Sequence, residues 1–146
     1  MKLFLPDIRH NQSGYEALIG LCAATSECAF KKIELDMAGT SWFDADMCAA
    51  FGAILYHLGK RLNTITLSNI RPDVEGILSR NGFLSHYGRE KIPDRWGTTI
   101  PYQRFDAKDD RYFGEYIETE LIKREEIPQM SPGLLKKFRE RKQSLF

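Results

Sequence analysis

The chain has 146 residues, of which 42% are hydrophobic and 28% are charged, and its formal net charge is +1. This length suffices for one domain, or for a small domain with an extension, that buries a core without disulfides or metals. The near-neutral charge creates no overall field that would attract nucleic acid or an anionic membrane. No apolar run approaches the roughly 20 residues that span a bilayer or resembles a signal peptide, which predicts a cytoplasmic protein without a membrane partner.

Cysteine and histidine usage argues against a metal site. Cys22, Cys28 and Cys48 form neither a CxxC pair nor a zinc spacing, and an odd number of cysteines predicts reduced thiols. Cys22 and Cys48 lie on predicted helices among apolar neighbours, where free cysteine usually packs as a small hydrophobe. The three histidines have no partner three or four residues away. We therefore expect no metal and no cofactor.

The chain begins with a strand pattern followed by a helix pattern. An apolar run over residues 2–8 predicts a first strand at a sheet edge. Ser13 and Glu16 form a capping box, which predicts a helix over residues 13–26. The expected buried stripe of that helix consists of Tyr15, Leu18, Ile19 and Cys22.

A second strand and helix follow. Polar and apolar residues alternate over residues 32–37, which predicts a strand that ends near Asp36. Asp44 is well placed to cap the next helix, and Gly59 can end it. The expected apolar positions of this helix are Met47, Phe51, Ile54, Leu55 and Leu58.

A third strand and helix complete an alternating order. Residues 63–68 alternate with period two, Pro72 suits a first helical position, and Asn81-Gly82 closes the helix. Strands separated by helices of this length pair in parallel, with right-handed crossovers. The predicted fold class is therefore α/β, with a small, mostly parallel sheet on which the helices pack.

The remainder of the chain predicts a linker and an extension. The polar stretch 88–97 contains glycine and proline and is interpreted as a linker between a domain of residues 1–87 and an extension of residues 98–146. The extension is expected to hold an extended stretch over 98–105, a helix over 106–124 capped by Asp106, and a helix that begins at Pro132.

The segment that runs from Ile33 to Met47, IELDMAGTSWFDADM, resembles the signature of STAS-like domains, which are related to sulphate transporters and anti-sigma-factor antagonists. In those domains a strand ending in Asp leads through a short turn to an aromatic or apolar pair, and then to an Asp that opens an amphipathic helix. The segment Asn81-Gly-Phe-Leu84 also matches the family. The resemblance covers roughly residues 32–87 and implies a non-enzymatic, regulatory domain that binds other proteins in signalling.

The resemblance also indicates where a partner would bind. In related antagonists a serine directly after the helix-opening Asp is phosphorylated, which adds a charge of about −2 at a protein-binding helix N-terminus. The matching residue here is Ala45, so that switch is absent at this position. Capping and the helix dipole by themselves would explain the two neighbouring aspartates. We expect the partner-binding surface at Asp44, Ala45, Asp46 and Met47.

The extension resembles the junction at which bacterial STAS-like domains precede a histidine-kinase and gyrase-type ATPase module. The similarity rests on residues 100–105 and 127–138, and it implies an ATPase or kinase-like partner module. No Asp-x-Gly-x-Gly motif or Walker loop is found, so we expect a chain truncated before the ATP-binding motifs. An apolar stripe of the last predicted helix is expected to fold back on the domain or to form a homodimer; it consists of Leu134, Leu135, Phe138 and Leu145.

Other functions stay open as alternatives. An enzyme would need a nucleophile with a base, paired carboxylates or metal ligands at a recognisable spacing, and none is found. A small-ligand or nucleotide-binding domain could use Asp36, Asp44 and Asp46, because ligands often bind at the carboxyl ends of parallel strands. The basic run 136–142 could contact nucleic acid, but Glu140 interrupts it, so a solvated face is the preferred interpretation.

Overall fold

The computed structural model describes residues 1–90, 92–95, 99–106 and 108–122, together with Gly133, Lys136, Lys137 and Glu140. The chain divides into two compact units, Met1–Tyr102 and Gln103–Phe146. In the part that the structure describes, no helix has both the length and the apolar character needed to cross a bilayer.

The first unit is built on a three-stranded, all-parallel sheet. Its strands are β1 (Lys2–Phe4), β2 (Lys32–Asp36) and β3 (Thr64–Ser68), and they lie side by side in that order. The intervening and following helices are α1 (Gln12–Thr25), α2 (Cys48–Lys60) and α3 (Pro72–Arg80). Since the strand order follows the chain, right-handed crossovers carry α1 and α2 over the same face of the sheet. The predicted α/β class with a parallel sheet is confirmed.

The two faces of the sheet differ in polarity. In the register, Leu3 of β1 lies beside Leu35 of β2, which in turn lies beside Leu67 of β3, and this face joins the core. On the opposite face the ammonium group of Lys2 lies 3.2 Å from Glu34 Oε1 and 2.9 Å from Asp36 Oδ2. The alternation that predicted the strands therefore separates an apolar face from a charged one.

Aromatic side chains hold the core of the first unit together. The fully buried ring of Phe51, on α2, lies 5.4 Å from the ring of Phe43 and 5.6 Å from that of Phe83. The ring of Tyr102 packs edge-on against Phe83 at 4.9 Å. The first unit therefore includes residues that follow the predicted linker 88–97.

Helix α1 buries a different face from the one predicted. Tyr15, Ile19 and Cys22 are exposed, and the buried residues are Gly14, Leu18, Leu21 and Thr25. At Gly14 a Cβ atom would overlap the carbonyl oxygen of Arg9, so only glycine permits this approach of helix to loop. That contact sets the rotation of the helix.

The N-cap of α1 also differs from the prediction. Asn11 caps the helix instead of Ser13, and its side-chain oxygen accepts the N–H of Gly14 at 3.0 Å. An asparagine in extended conformation two residues earlier fulfils the same role, since Asn and Ser are comparable N-caps.

The second unit contains α4 (Asp110–Tyr116), which continues as a π-helical segment, Ile117–Ile122. Phe105 packs against Phe113 at 5.4 Å and against Tyr116 at 5.3 Å. The helix begins at Asp110, after Asp109, and Asp106 is therefore not its cap. The predicted self-association stripe, which consists of Leu134, Leu135, Phe138 and Leu145, lies outside the described residues.

Candidate functional site

Two loops meet at the carboxyl ends of β1 and β2. Ile8 in the first loop and Phe43 in the second form an isolated parallel bridge, and both side chains are buried. The N–H of Ile8 donates to the carbonyl of Trp42 at 3.0 Å, and the N–H of Asp44 donates to the carbonyl of Ile8 at 2.8 Å. The two loops therefore form one anchored structure.

The carboxylate of Asp7 closes the turn that follows β2. It accepts hydrogen bonds from the N–H of Ser41 at 2.7 Å, from the hydroxyl of Ser41 at 2.8 Å and from the N–H of Trp42 at 3.1 Å. The Ser41 hydroxyl is the main cause that lowers the pKa of Asp7 below its ordinary value, because these donors stabilise the ionised form. The turn is thus fixed by one carboxylate from the neighbouring loop.

The side chain of Asp44 also connects the two loops by a hydrogen bond. Its carboxylate accepts the backbone N–H of His10 at 2.7 Å and the indole N–H of Trp42 at 2.8 Å. The His10 bond first, and the indole second, lower the pKa of Asp44. The capping role predicted for this residue is wrong, because its side chain makes no cap hydrogen bond and a 3₁₀ turn, Ala45–Met47, precedes α2. A tertiary donor, the N–H of His10, and a local one, the indole of Trp42, occupy the oxygens that a cap would use.

The exposed side chains of these two loops form an aromatic and charged surface. Trp42 is 46% exposed, and the guanidinium carbon of Arg9 lies 5.2 Å from the centre of its ring. Beside this pair, Nδ1 of His10 contacts Oδ2 of Asp46, and Ala45 is exposed. The Trp42 surface is defined here as Arg9, His10, Trp42, Ala45 and Asp46.

The residues predicted for partner binding fall into different environments. Ala45 and Asp46 are exposed, and Asp44 is half-buried beneath Trp42. Met47 is 2% exposed and belongs to the core, so its side chain does not contribute to the surface. The sequence places Trp42 in the segment that resembles the family signature but predicts no role for it. A large aromatic residue between Ser41 and Asp44 in a polar turn is the signal that could have identified it.

Asp36 lies at the end of β2 with partners of its own. It is 4% exposed and accepts hydrogen bonds from the N–H of Ala38, the amide of Asn69 and the ammonium of Lys2, each at 2.9 Å. The Ala38 bond, followed by the Lys2 bond, lowers its pKa. Asp36 therefore links the end of β2 to the first residue of β1 and to the residue after β3.

The three aspartates of the alternative ligand site do not share one set of binding partners. Asp36 binds donors from β1 and from the residue after β3, Asp44 binds His10 and Trp42, and Asp46 contacts His10. Within the described ranges, no group of three or more His, Cys, Asp and Glu side chains is placed to hold a metal ion.

The three cysteines are unpaired thiols in two kinds of environment. Cys28 and Cys48 are buried, whereas Cys22 is exposed, contrary to the expected core position. Burial raises the pKa of Cys48 to about 12, although the amide of Asn81 donates to its sulfur at 3.4 Å. A thiol of that kind is inert as a nucleophile at neutral pH.

Comparisons of the chain with protein-family models, with curated proteins and with solved structures give no match. The resemblance of residues 32–87 to STAS-like domains stays a prediction from the sequence.

Proposed function

We propose that this chain is a non-enzymatic, regulatory protein-interaction domain of the STAS-like kind, which binds its partner through the Trp42 surface. The observation that supports this function is the exposed pair of Trp42 and Arg9, held on two hydrogen-bonded loops. The signature segment also has the strand, turn and helix that the resemblance implies, with Asp36 at the end of the strand.

The chemistry of the surface suits protein recognition. Tryptophan and arginine are the residues most enriched at positions that dominate the binding energy of protein interfaces. Asp7 and Asp44 already order the loop that carries Trp42, so this loop would lose less conformational entropy on binding a partner than a free loop would. A preorganised aromatic side chain with a cation stacked beside it is therefore a suitable anchor.

We further propose that the partner is an ATPase or kinase-like module in a cytoplasmic signalling pathway, either in the same polypeptide or separate. This partner class follows from the resemblance of residues 100–105 and 127–138 to the junction before such modules. Since Ala45 has no hydroxyl group, binding would not be switched by phosphorylation at that residue.

Site-specific photo-crosslinking tests the proposal. A benzophenone amino acid is placed at Ala45, within the Trp42 surface, and at the exposed Phe30 as a matched control, in cells that produce the protein. We expect one protein to be captured from position 45 and not from position 30. The purified chain should change the ATPase or kinase rate of that protein saturably, and Trp42→Ala should weaken the effect by about tenfold or more.

Three results would contradict the proposal. They are the absence of any capture from position 45, an effect on the partner that is unchanged by Trp42→Ala, and substrate turnover by the purified chain that a substitution in the Trp42 surface abolishes. A saturable thermal shift with one nucleotide or metal ion, lost in Asp36→Asn, would instead favour a ligand-binding domain.

A further inference from the structure

No strand among the described residues pairs with the outer edge of β1. β1 is at the end of the strand order, and it pairs with β2 through alternate residues: the N–H of Leu5 donates to Asp36, and the carbonyl of Met1 accepts from Glu34, both at 2.9 Å. In a parallel ladder the groups of the intervening residues point to the other side. The N–H and carbonyl groups of Lys2 and Phe4 therefore face outward.

An apolar groove lies beside this edge. It has a volume of about 200 Å³, and its nine lining residues come from β1 and the two residues after it, from α1 and from β2, with no charged residue among them. Leu3 and Leu35 contribute from the sheet, and Ala17, Gly20 and Ala24 contribute from the helix. A Cβ atom at Gly20 would meet nothing within 4 Å, so the α1 side of the groove has free space at this position.

We propose that the β1 edge binds an extended segment of a partner protein as an added β-strand, with one apolar side chain of that segment in the groove under α1. Strand addition of this kind takes its affinity from main-chain hydrogen bonds and its specificity from pockets for alternate side chains. Because β1 has only three residues, few main-chain bonds can form, and the groove must supply much of the binding energy. The uncharged lining selects an apolar residue.

A second copy of this chain fits the groove poorly. If two copies paired through β1, the side chains on the helix-facing side of the partner strand would have to enter the groove. Leu5 is 4% exposed and Leu3 is partly buried, so both are already packed in their own core. Phe4 borders the groove, but strand alternation turns its exposed side chain to the opposite face, where the ammonium of Lys2 is 5.7 Å from its ring centre. An extended peptide carries free side chains for this purpose.

The β1 edge and the Trp42 surface share no residue, so either proposal can fail without the other. The test uses capped heptapeptides that differ only in a central Ala, Val, Leu, Phe or Asp, titrated into the full ¹⁵N-labelled chain. At least one apolar peptide should give saturable shifts and slow the exchange of the Phe4 amide. The Asp peptide should not bind, and neither should the best peptide when the nitrogens of its central residue and of the next residue are both methylated, because one of two consecutive N–H groups faces β1 in either strand orientation.

A matched pair of glycines provides the variants. Gly20 and Gly59 are both exposed helical positions at which a Cβ atom meets nothing within 4 Å, but only Gly20 lines the groove. Gly20→Leu should weaken peptide binding by about tenfold or more, and Gly59→Leu should leave it unchanged. Failure of all four apolar peptides to saturate, or equal binding by Gly20→Leu, would overturn the proposal. Self-association of the chain that Gly20→Leu abolishes would also overturn it, in favour of a second copy.

Discussion

The carboxylate of Asp44 accepts the backbone N–H of His10 at 2.7 Å and so joins the loop after β2 to the loop after β1. The same carboxylate holds the indole of Trp42 at 2.8 Å. One half-buried side chain therefore contributes both to the packing of the loops and to the orientation of the exposed aromatic ring. Asp46, two residues later, contacts His10 from an exposed position.

Replacing Asp44 by alanine should lower the free energy of unfolding by about 1–2 kcal/mol, because two hydrogen bonds lose their acceptor. Asp46→Ala is the matched control and should cost at most about 1 kcal/mol, since a contact between two exposed polar side chains contributes little. Urea unfolding of both variants measures the difference. Equal losses would contradict the connecting role of Asp44.

Asn69 combines a strained backbone with a hydrogen bond to Asp36. Its φ is 54°, in the left-handed region, and its amide donates to Asp36 at 2.9 Å. Asn69→Ala should cost about 2–3 kcal/mol, because it removes the bond and retains the strain. Asn69→Gly should cost less, because glycine adopts this conformation freely. Denaturant unfolding measures both losses. A larger loss in Asn69→Gly than in Asn69→Ala would contradict a role of backbone strain at this turn.

Stability should fall in acid. Hydrogen bonds lower the pKa values of Asp7, Asp36 and Asp44 below their ordinary 3.8, so the folded chain binds fewer protons than the unfolded chain. Their contribution is complete above pH 3.8 and is lost as the pH falls through the folded-state values. We expect Asp36→Asn to be less stable than the wild type at neutral pH and to lose less stability as the pH falls below 3.8. Parallel pH profiles of the two proteins would contradict this.

Two glycines of α2 should respond to alanine in opposite directions. A Cβ atom on the buried Gly52 would overlap the ring of Tyr102, which is held against Phe83, whereas Gly59 faces open space. Gly52→Ala should therefore destabilise the fold by about 1–3 kcal/mol, and Gly59→Ala should stabilise it by about 0.5–1 kcal/mol. Thermal unfolding measures both, and stabilisation by Gly52→Ala would contradict the packing of Tyr102.

Thiol reactivity should distinguish the three cysteines. Cys22 is exposed and should react rapidly with a disulfide reagent in the folded chain. Cys28 and Cys48 are buried, and the pKa of Cys48 is raised to about 12, so both should react only as the chain unfolds. Cys22→Ser should remove the rapid phase, and a rapid phase that persists in this variant would refute the assignment.

Elements marked by local signals were predicted well. β2 and β3 show strict alternation, and α3 lies between Pro72 and the left-handed Gly82, as expected. These features depend on side-chain periodicity and on the backbone preferences of proline and glycine, which act within a few residues. The α/β class and the parallel sheet followed from the order of such elements.

Tertiary contacts decided the remainder. Helix α1 contains many small residues, so periodicity alone did not distinguish its faces, and the close approach of Gly14 to Arg9 set its rotation. Asp44 could cap a helix in sequence terms, but donors from His10 and Trp42 use its oxygens instead. The sequence by itself determined which segments form strands and helices, because this follows from local propensity, and it determined the parallel sheet through the order of those segments, although the first strand, expected over residues 2–8, is only Lys2–Phe4. Only the tertiary structure decided which side chains remained exposed at Trp42 and along β1, because exposure depends on contacts between residues far apart in the chain.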